Sequence, residues 1–448
     1  MDENDKSIRL FENTSMPKLF LKVSVPGSIG MIATNIFWIV EGLLVSRALG
    51  STTFAAFNLA LPLVYINFAL SDFIGVGSSV RISIKLGQND RKAANEIFTL
   101  AVFLIAFTSF LMLLLLYFGG PLFFRLMNAD ETLIPDAVAY LRGYAVFAPI
   151  TALFFAVDNY LKISGKVKYS MAINIIMSLL AFTLDFLFLF VFGMGVGSVA
   201  VGSSISLSIC TLIGLLPFVR KKTVLAFTRL HLRLNHIRDI FSSGLPVFLA
   251  TTASRLTSIF INSILLLVST ADSVSIYGVL MQIDGFIMPF LYGLCDSLQP
   301  AVGYNWGKGD LKRVKKIETV CYSVALIISA LSFVILLAFP VQIMNIFFSS
   351  MDESFISAAR IAIVIFSFTY ITRWINFSTQ SFASAIGMPL YATLISIAQA
   401  IVFPVICFLL IFPFGVNGIY ANMASSGLLT LILSLILLSK LLRLFRKS

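Results

Sequence analysis

Six carboxylates fall within long apolar stretches of the chain: Glu41, Asp72, Asp158, Asp185, Asp284 and Asp296. A carboxylate in such a setting costs several kcal/mol unless a partner, a proton or a cation neutralises it, so each is a candidate for chemistry. Glu41 lies about 5 residues and Asp185 about 7 residues inside the same end of their stretches, which puts the two acids at similar depth. Two acids so placed can share a proton or a small cation, while hydrogen bonding to a neighbouring helix is the structural alternative. Helical spacing groups Thr34 and Trp38 with Glu41, and Asn174 and Ser178 with Asp185, as two polar stripes and as candidates for a substrate cavity. Asp284 and Arg255 are also comparably deep, which suits either an ion pair or a site for substrate charge. Asp72, Asp158 and Asp296 lie nearer stretch ends, where water or a residue such as Lys162 can neutralise them. Met281 and Met288, with some of the 43 phenylalanines, can line an adaptable cavity for flat apolar cations.

Catalytic and cofactor patterns are missing. The string GYNWGK at 303–308 is one residue short of a phosphate-cradling P-loop. GVGSS from Gly75 and GMGVGSVAVGS from Gly193 read as close helix packing. His231 and His236 are five apart without HExxH, and Cys210, Cys295, Cys321 and Cys407 lack CxxC spacing and fall in apolar segments. Neither a metal site, a disulfide framework nor a cofactor is expected. No convergent nucleophile and base supports an enzyme, including one acting on lipids.

The elements that must position these residues are membrane spans. The chain has 448 residues, of which 58% are hydrophobic and 12% charged, with a mean hydropathy of +0.96. This is the composition of an all-α polytopic membrane protein. Twelve spans are predicted near 20–46, 53–79, 94–119, 134–160, 169–192, 196–219, 239–269, 273–303, 315–340, 355–380, 390–413 and 417–441. The net charge of +11 is distributed in clusters between spans: Arg81 to Lys92, Lys162 to Lys168, Arg220 to Arg238, Lys308 to Lys316, and Lys440 to Lys447. With both termini cytoplasmic, all these clusters face the cytoplasm, which satisfies the positive-inside rule in a cell membrane and argues against a nucleic-acid partner.

The chain falls into an N-lobe (1–219), a basic linker (220–238), solvated or facing lipid headgroups, and a C-lobe (239–448). At an offset of 220 residues Pro26 matches Pro246, Gly87 matches Gly307, Asp90 matches Asp310, Lys92 matches Lys312, and Gly195 matches Gly415. Six spans per half is an even number, so the halves are parallel repeats, an architecture of alternating-access transporters.

The residues now named resemble the multidrug and toxic compound extrusion (MATE) transporters, in particular their MepA-like branch, over nearly the whole chain. QPAVGYNWGKGDLKRVKK from Gln299 is similar to that family's segment after span eight, and ISIKLGQNDRKAANE from Ile82 is its first-half counterpart. IVEGLLVSRALG around Glu41 resembles the first-span pattern, LDFLFLF from Leu184 the fifth-span motif, and YLKISG the approach to that span. The resemblance implies a V-shaped pair of six-helix lobes exporting organic cations and amphipathic drugs in exchange for protons or sodium ions. It also implies Glu41 and Asp185 as coupling acids, with Ser203 a possible oxygen ligand, in a protein expected to act as a monomer among membrane lipids. Glu stands at 41 where Asp is usual, Lys162 where Arg is usual, and Ala181 where Asn is common. Losing that amide favours protons over sodium. A lipid-linked oligosaccharide flippase of the same superfamily is the rival, but it would need several cavity cations, and only Arg142, Arg255 and Arg373 qualify.

Overall fold

The computed structural model of the chain describes residues 10–127, 129–268, 271–347 and 353–444, without the side chains at 254–255, 258–259, 262–263, 266–268, 271 and 444. Every regular element among them is helical. The chain divides into two compact units, Met1–Gly244 with Gly303–Lys308, and Leu245–Val302 with Gly309–Ser448.

The first unit starts with α1, Met16–Gly87. Its 72 residues would run about 108 Å, more than three times a hydrocarbon core of about 30 Å. It breaks at Gly50, whose φ of 83° and ψ of −179° are open to glycine and costly for other residues. There follow α2 (Arg91–Leu126), α3 (Ile134–Ala145), α4 (Ala148–Thr151), α5 (Leu153–Ile163), α6 (Val167–Phe186) and α7 (Val196–Val219). The α3 helix and the stretch Ala148–Ile163 bend by 59°. The α6 helix widens into a π turn, Leu187–Val191.

Two long helices follow, α8 (Leu234–Val268) and α9 (Ala271–Lys308), and both pass from one unit to the other. The second unit continues with α10 (Leu311–Ala338), α11 (Pro340–Phe347), α12 (Glu353–Ser367), α13 (Thr369–Ala385), α14 (Pro389–Ile397), α15 (Phe403–Ile411) and α16 (Gly415–Leu444). Its core gathers Leu265, Leu280, Ile363, Phe366 and Tyr370, all at most 1% exposed. Among the described residues, eight helical stretches are long and apolar enough to cross a membrane, or nine when the bent pair in α3–α5 counts as one span. Large apolar side chains such as Phe118 and Leu409 are 72% and 71% exposed, which suits a hydrocarbon surround and not water.

The internal repeat has a physical basis at the starts of α2 and α10. Asp90 accepts from the Ala93 N–H at 3.1 Å and Asp310 from the Arg313 N–H at 3.0 Å, so each caps its helix in the same way. The preceding residue is left-handed in both, Asn89 at φ 62° and Gly309 at φ 83°.

The GYN string serves the first unit. Tyr304 and Lys308 donate to Glu12 at 2.8 and 2.6 Å, and the Asn305 amide donates to the Phe11 carbonyl at 3.2 Å. Backbones cross closely beside it, because a Cβ on Gly87 would stand 1.9 Å from the Tyr304 carbonyl oxygen.

The segment joining α7 to α8, expected to be solvated or to face lipid headgroups, is exposed over 228–235 and buried near its start. Thr223, Val224 and Leu225 are buried, the Ala226 N–H donates to Asn95, the Thr228 N–H donates to Thr99, and Phe227 packs on Phe98. The polar side chains of α2 satisfy backbone that has no helical partner, and this ties the segment to the first unit.

Candidate functional site

Glu41 and Asp185 are both completely buried in the first unit, at 0% exposure. They are close enough to interact electrostatically. Glu41 reaches its position from the first half of α1, and Asp185 from the last turn of α6, immediately before the π turn. Wide turns of this kind recur at functional positions in helices. No described residue makes a well-formed hydrogen bond to any of the four carboxylate oxygens. Ser203 on α7 approaches Glu41, but its hydroxyl donates to the Val199 carbonyl oxygen at 2.9 Å. Among the described residues neither acid forms an ion pair. Two buried carboxylates without a cationic side chain are stable only if protons or a bound cation accompany them.

Two neighbours of the pair were not singled out from sequence. Tyr140 on α3, 2% exposed, interacts electrostatically with both acids and packs edge-on against Phe57 at 5.0 Å. Gly202 on α7 provides room, since a Cβ there would lie 2.6 Å from Oδ1 of Asp185. A tyrosine or glycine in an apolar span gives no signal until its helix is docked.

The polar stripes are divided between two settings. Thr34 and Asn174 are buried and bound to each other, with the threonine hydroxyl donating to the amide oxygen at 3.1 Å. The Asn174 amide then donates to Asp158 at 2.7 Å, and Asp158 pairs with Lys162 at 2.7 Å. Lys162 thus supplies the neutralisation expected of it. Ser178 is half-buried and returns its hydroxyl to the Asn174 carbonyl. Trp38 is half-buried among the rings of Phe37, Tyr65 and Phe68.

In the second unit the partner expected for Asp284, Arg255, has its side chain outside the described residues. Asp284 is held by Arg373 on α13, whose Nη2 donates to both carboxylate oxygens at 2.9 and 2.7 Å. Tyr370 donates to Asp284 at 3.0 Å, and Arg373 Nε points at the Met288 sulfur at 3.2 Å. Met288 is buried and Met281 half-buried. Tyr370, Arg373 and Phe377 recur at helical spacing in span ten, which was the available sequence signal for this face.

Two acids outside the original six also proved to be buried in part. Glu96 is 4% exposed and pairs with Arg233 at 3.3 Å. Glu318 on α10 has its Oε2 buried without a hydrogen-bond partner. Both lie close to helix starts, where sequence alone places them in water. All four cysteines are free and buried.

With this geometry in place, comparison with known proteins gives a consistent result. The MatE family model matches residues 26–187 and 246–409. A multidrug export protein MepA of Staphylococcus saprophyticus is 24% identical over 418 residues, covering 93% of this chain and 92% of the relative. The MepA of a Staphylococcus aureus strain is 23% identical over 421 residues, covering 93% and 92%. Among solved structures, an outward-facing multidrug resistance MATE family transporter of the MOP superfamily superposes with a TM-score of 0.90 at 19% identity, covering 99% of this chain and 100% of the other. A MOP superfamily transporter from Pyrococcus furiosus, described as having a binding pocket of reverse polarity, gives 0.91 at 20% identity over the same shares. At these identities the structural likeness speaks for the fold.

Proposed function

This chain belongs to the MatE family, and from its buried acid pair we propose that it is a secondary active efflux antiporter, exporting organic cations and amphipathic drugs in exchange for protons. It is an integral membrane protein whose relatives are transporters and not enzymes. The carrying observation is that Glu41 and Asp185 are sealed in one unit and that, among the described residues, they have neither a cationic side chain nor a well-formed hydrogen bond. Such a pair binds and releases its neutralising ion as access changes.

Twelve spans follow if α1 counts as two, broken at Gly50, and Pro389–Arg443 as two, turning at Gly415 with its φ of 65°. The bent pair and α8 supply the remainder. We place both termini in the cytoplasm of a cell-membrane protein acting as a monomer, on the basic clusters between spans.

A drug cation entering from the cytoplasm is favoured while the acids are charged. Protonation from outside removes that attraction and releases it. Protons are favoured over sodium because Ala181 contributes no oxygen ligand. A flippase reading gains no support, since Arg142 donates to the Tyr117 carbonyl and Arg373 is engaged by Asp284.

The test is efflux of a fluorescent cationic dye from proteoliposomes, with proton and sodium gradients imposed separately. Glu41→Gln and Asp185→Asn are each expected to abolish proton-driven efflux while the protein remains in the membrane. Normal efflux by both variants would refute the assignment.

A further inference from the structure

Cys295 on α9 and Cys321 on α10 form a close pair of free thiols within the second unit, their sulfurs 3.6 Å apart and the residues 2% and 3% exposed. The Ser378 hydroxyl on α13 lies 3.7 Å from the Cys295 sulfur. Glu318, one turn before Cys321, interacts with it electrostatically and keeps Oε2 buried without a hydrogen-bond partner among the described residues. Two thiols, a hydroxyl and a carboxyl group thus gather in an apolar surround, and the antiport reading uses none of them. Thiols are ordinarily protonated at neutral pH, so the sulfur pair carries no charge.

The donor set selects among thiophilic ligands. Among the described residues no three His, Cys, Asp or Glu side chains gather to hold a metal ion, so an ion of the zinc type, which takes four ligands, is not served. Two-coordinate mercury would set its sulfurs on opposite sides, about 4.6 Å apart for metal–sulfur bonds of about 2.3 Å. A trivalent centre with an angle of about 100° between bonds of that length spans about 3.5 Å. The pair already offers that spacing. Trivalent arsenic bearing one methyl group needs only two further ligands. Both the free arsenical and its dithiol adduct are neutral, so capture strands no charge in the interior. We propose that Cys295 and Cys321 form a chelating site for small neutral trivalent arsenicals. Each thiol forms an As–S bond as an As–OH bond breaks, and its proton leaves with the hydroxide as water. The arsenic stays trivalent and no electron is transferred. Glu318 and Ser378 supply groups able to carry the proton from sulfur to hydroxide.

The experiment titrates the full-length protein, in detergent and kept reduced with a phosphine, with methylarsonous acid. Intact mass spectrometry counts the arsenic bound. Wild type is expected to take up one methylarsenic group and to release it to an excess of a small dithiol. Alkylation of the adduct under denaturing conditions, followed by digestion, is expected to find Cys295 and Cys321 blocked and Cys210 and Cys407 alkylated, a reading that needs no variant to fold. Cys295→Ser and Cys321→Ser should each bind at least about tenfold more weakly, because a single thiol loses the effective concentration of its neighbour. Cys210→Ser and Cys407→Ser should match wild type. No uptake by wild type, an adduct on Cys210 or Cys407, or undiminished uptake by Cys295→Ser or Cys321→Ser would overturn the proposal. None of these readouts involves ion coupling, so failure of the antiport reading leaves them unmoved.

Discussion

Gly202→Ala tests whether the space beside Asp185 sets the coupling chemistry. The new Cβ would lie 2.6 Å from Oδ1 of Asp185, 3.3 Å from the Leu184 Cβ and 3.3 Å from a ring carbon of Phe188. Ordinary contact between such atoms is about 3.5 Å, so the carboxylate must move by roughly 0.9 Å. The aspartate is short and fully buried, and it ends a helix that continues into a π turn, so it swings freely in no direction. A displacement near 1 Å at a reacting group costs up to about a hundredfold in rate. A loss of about ten- to a hundredfold corresponds to roughly 1.4 to 2.7 kcal/mol. Overpacking is expected to lower stability by about 1 to 3 kcal/mol as well. The assay is dye efflux driven by a proton gradient, with Gly195→Ala as control, since a Cβ there meets nothing within 4 Å. Wild-type efflux by Gly202→Ala would refute the reasoning, as would an equal loss in the control.

Other consequences are open to simpler measurements. Lys162→Met leaves Asp158 charged and largely buried, which should cost about 3 kcal/mol or more and lower the melting temperature, while adding Asp158→Asn should recover most of the loss. Asp90→Ala and Asp310→Ala each remove one helix cap, and each should cost about 1 kcal/mol by thermal melting, the two being similar in size because the caps are alike. With Trp306 and Trp374 replaced by Phe, Trp38 becomes a reporter three residues from Glu41. Its emission should change sigmoidally with pH, and Glu41→Gln should remove or displace that change.

What could be read from sequence depended on whether a residue's meaning is local. The separation of the first two spans between 46 and 53, the match of Asp90 with Asp310, and the similar depths expected of Glu41 and Asp185 follow from spacing along the chain. Partner choice does not. Arg373 and Asp284 are 89 residues apart, and only the packing of α13 on α9 makes the arginine the partner. The segment after α7 read as solvated because its basic residues dominate its composition. Its buried members, Thr223, Val224 and Leu225, become evident only once α2 presents Asn95 and Thr99 to the backbone that follows them. Glu96 likewise sits near a helix start that would be wet if Arg233 did not reach it.

The repeat duplicates scaffold without duplicating chemistry, and this bears on how ion and substrate are divided. The positions equivalent to Glu41 and Asp185 in the second half, at the same offset of 220 residues, are Ile261 and Val405. Ile261 is 2% exposed and belongs to the apolar core of its unit. No acid is therefore available there to bind an ion in the manner of the first unit. Of the charges the second unit buries, Asp284 and Arg373 cancel each other, so a proton gradient gains no purchase on that pair while it stays closed, whereas Glu318 keeps a carboxylate oxygen buried without a hydrogen-bond partner. In the first unit, by contrast, Glu41 and Asp185 have no ion-pair partner among the described residues and none of their four carboxylate oxygens has a hydrogen-bond partner there. Under the proposed antiport, coupling by Glu41 and Asp185 would leave the ligand contacts of the second unit free to vary without disturbing the ion step. Substitutions at Asp284 and Arg373 are expected to change which dyes are exported, and substitutions at Glu41 and Asp185 to change whether any are.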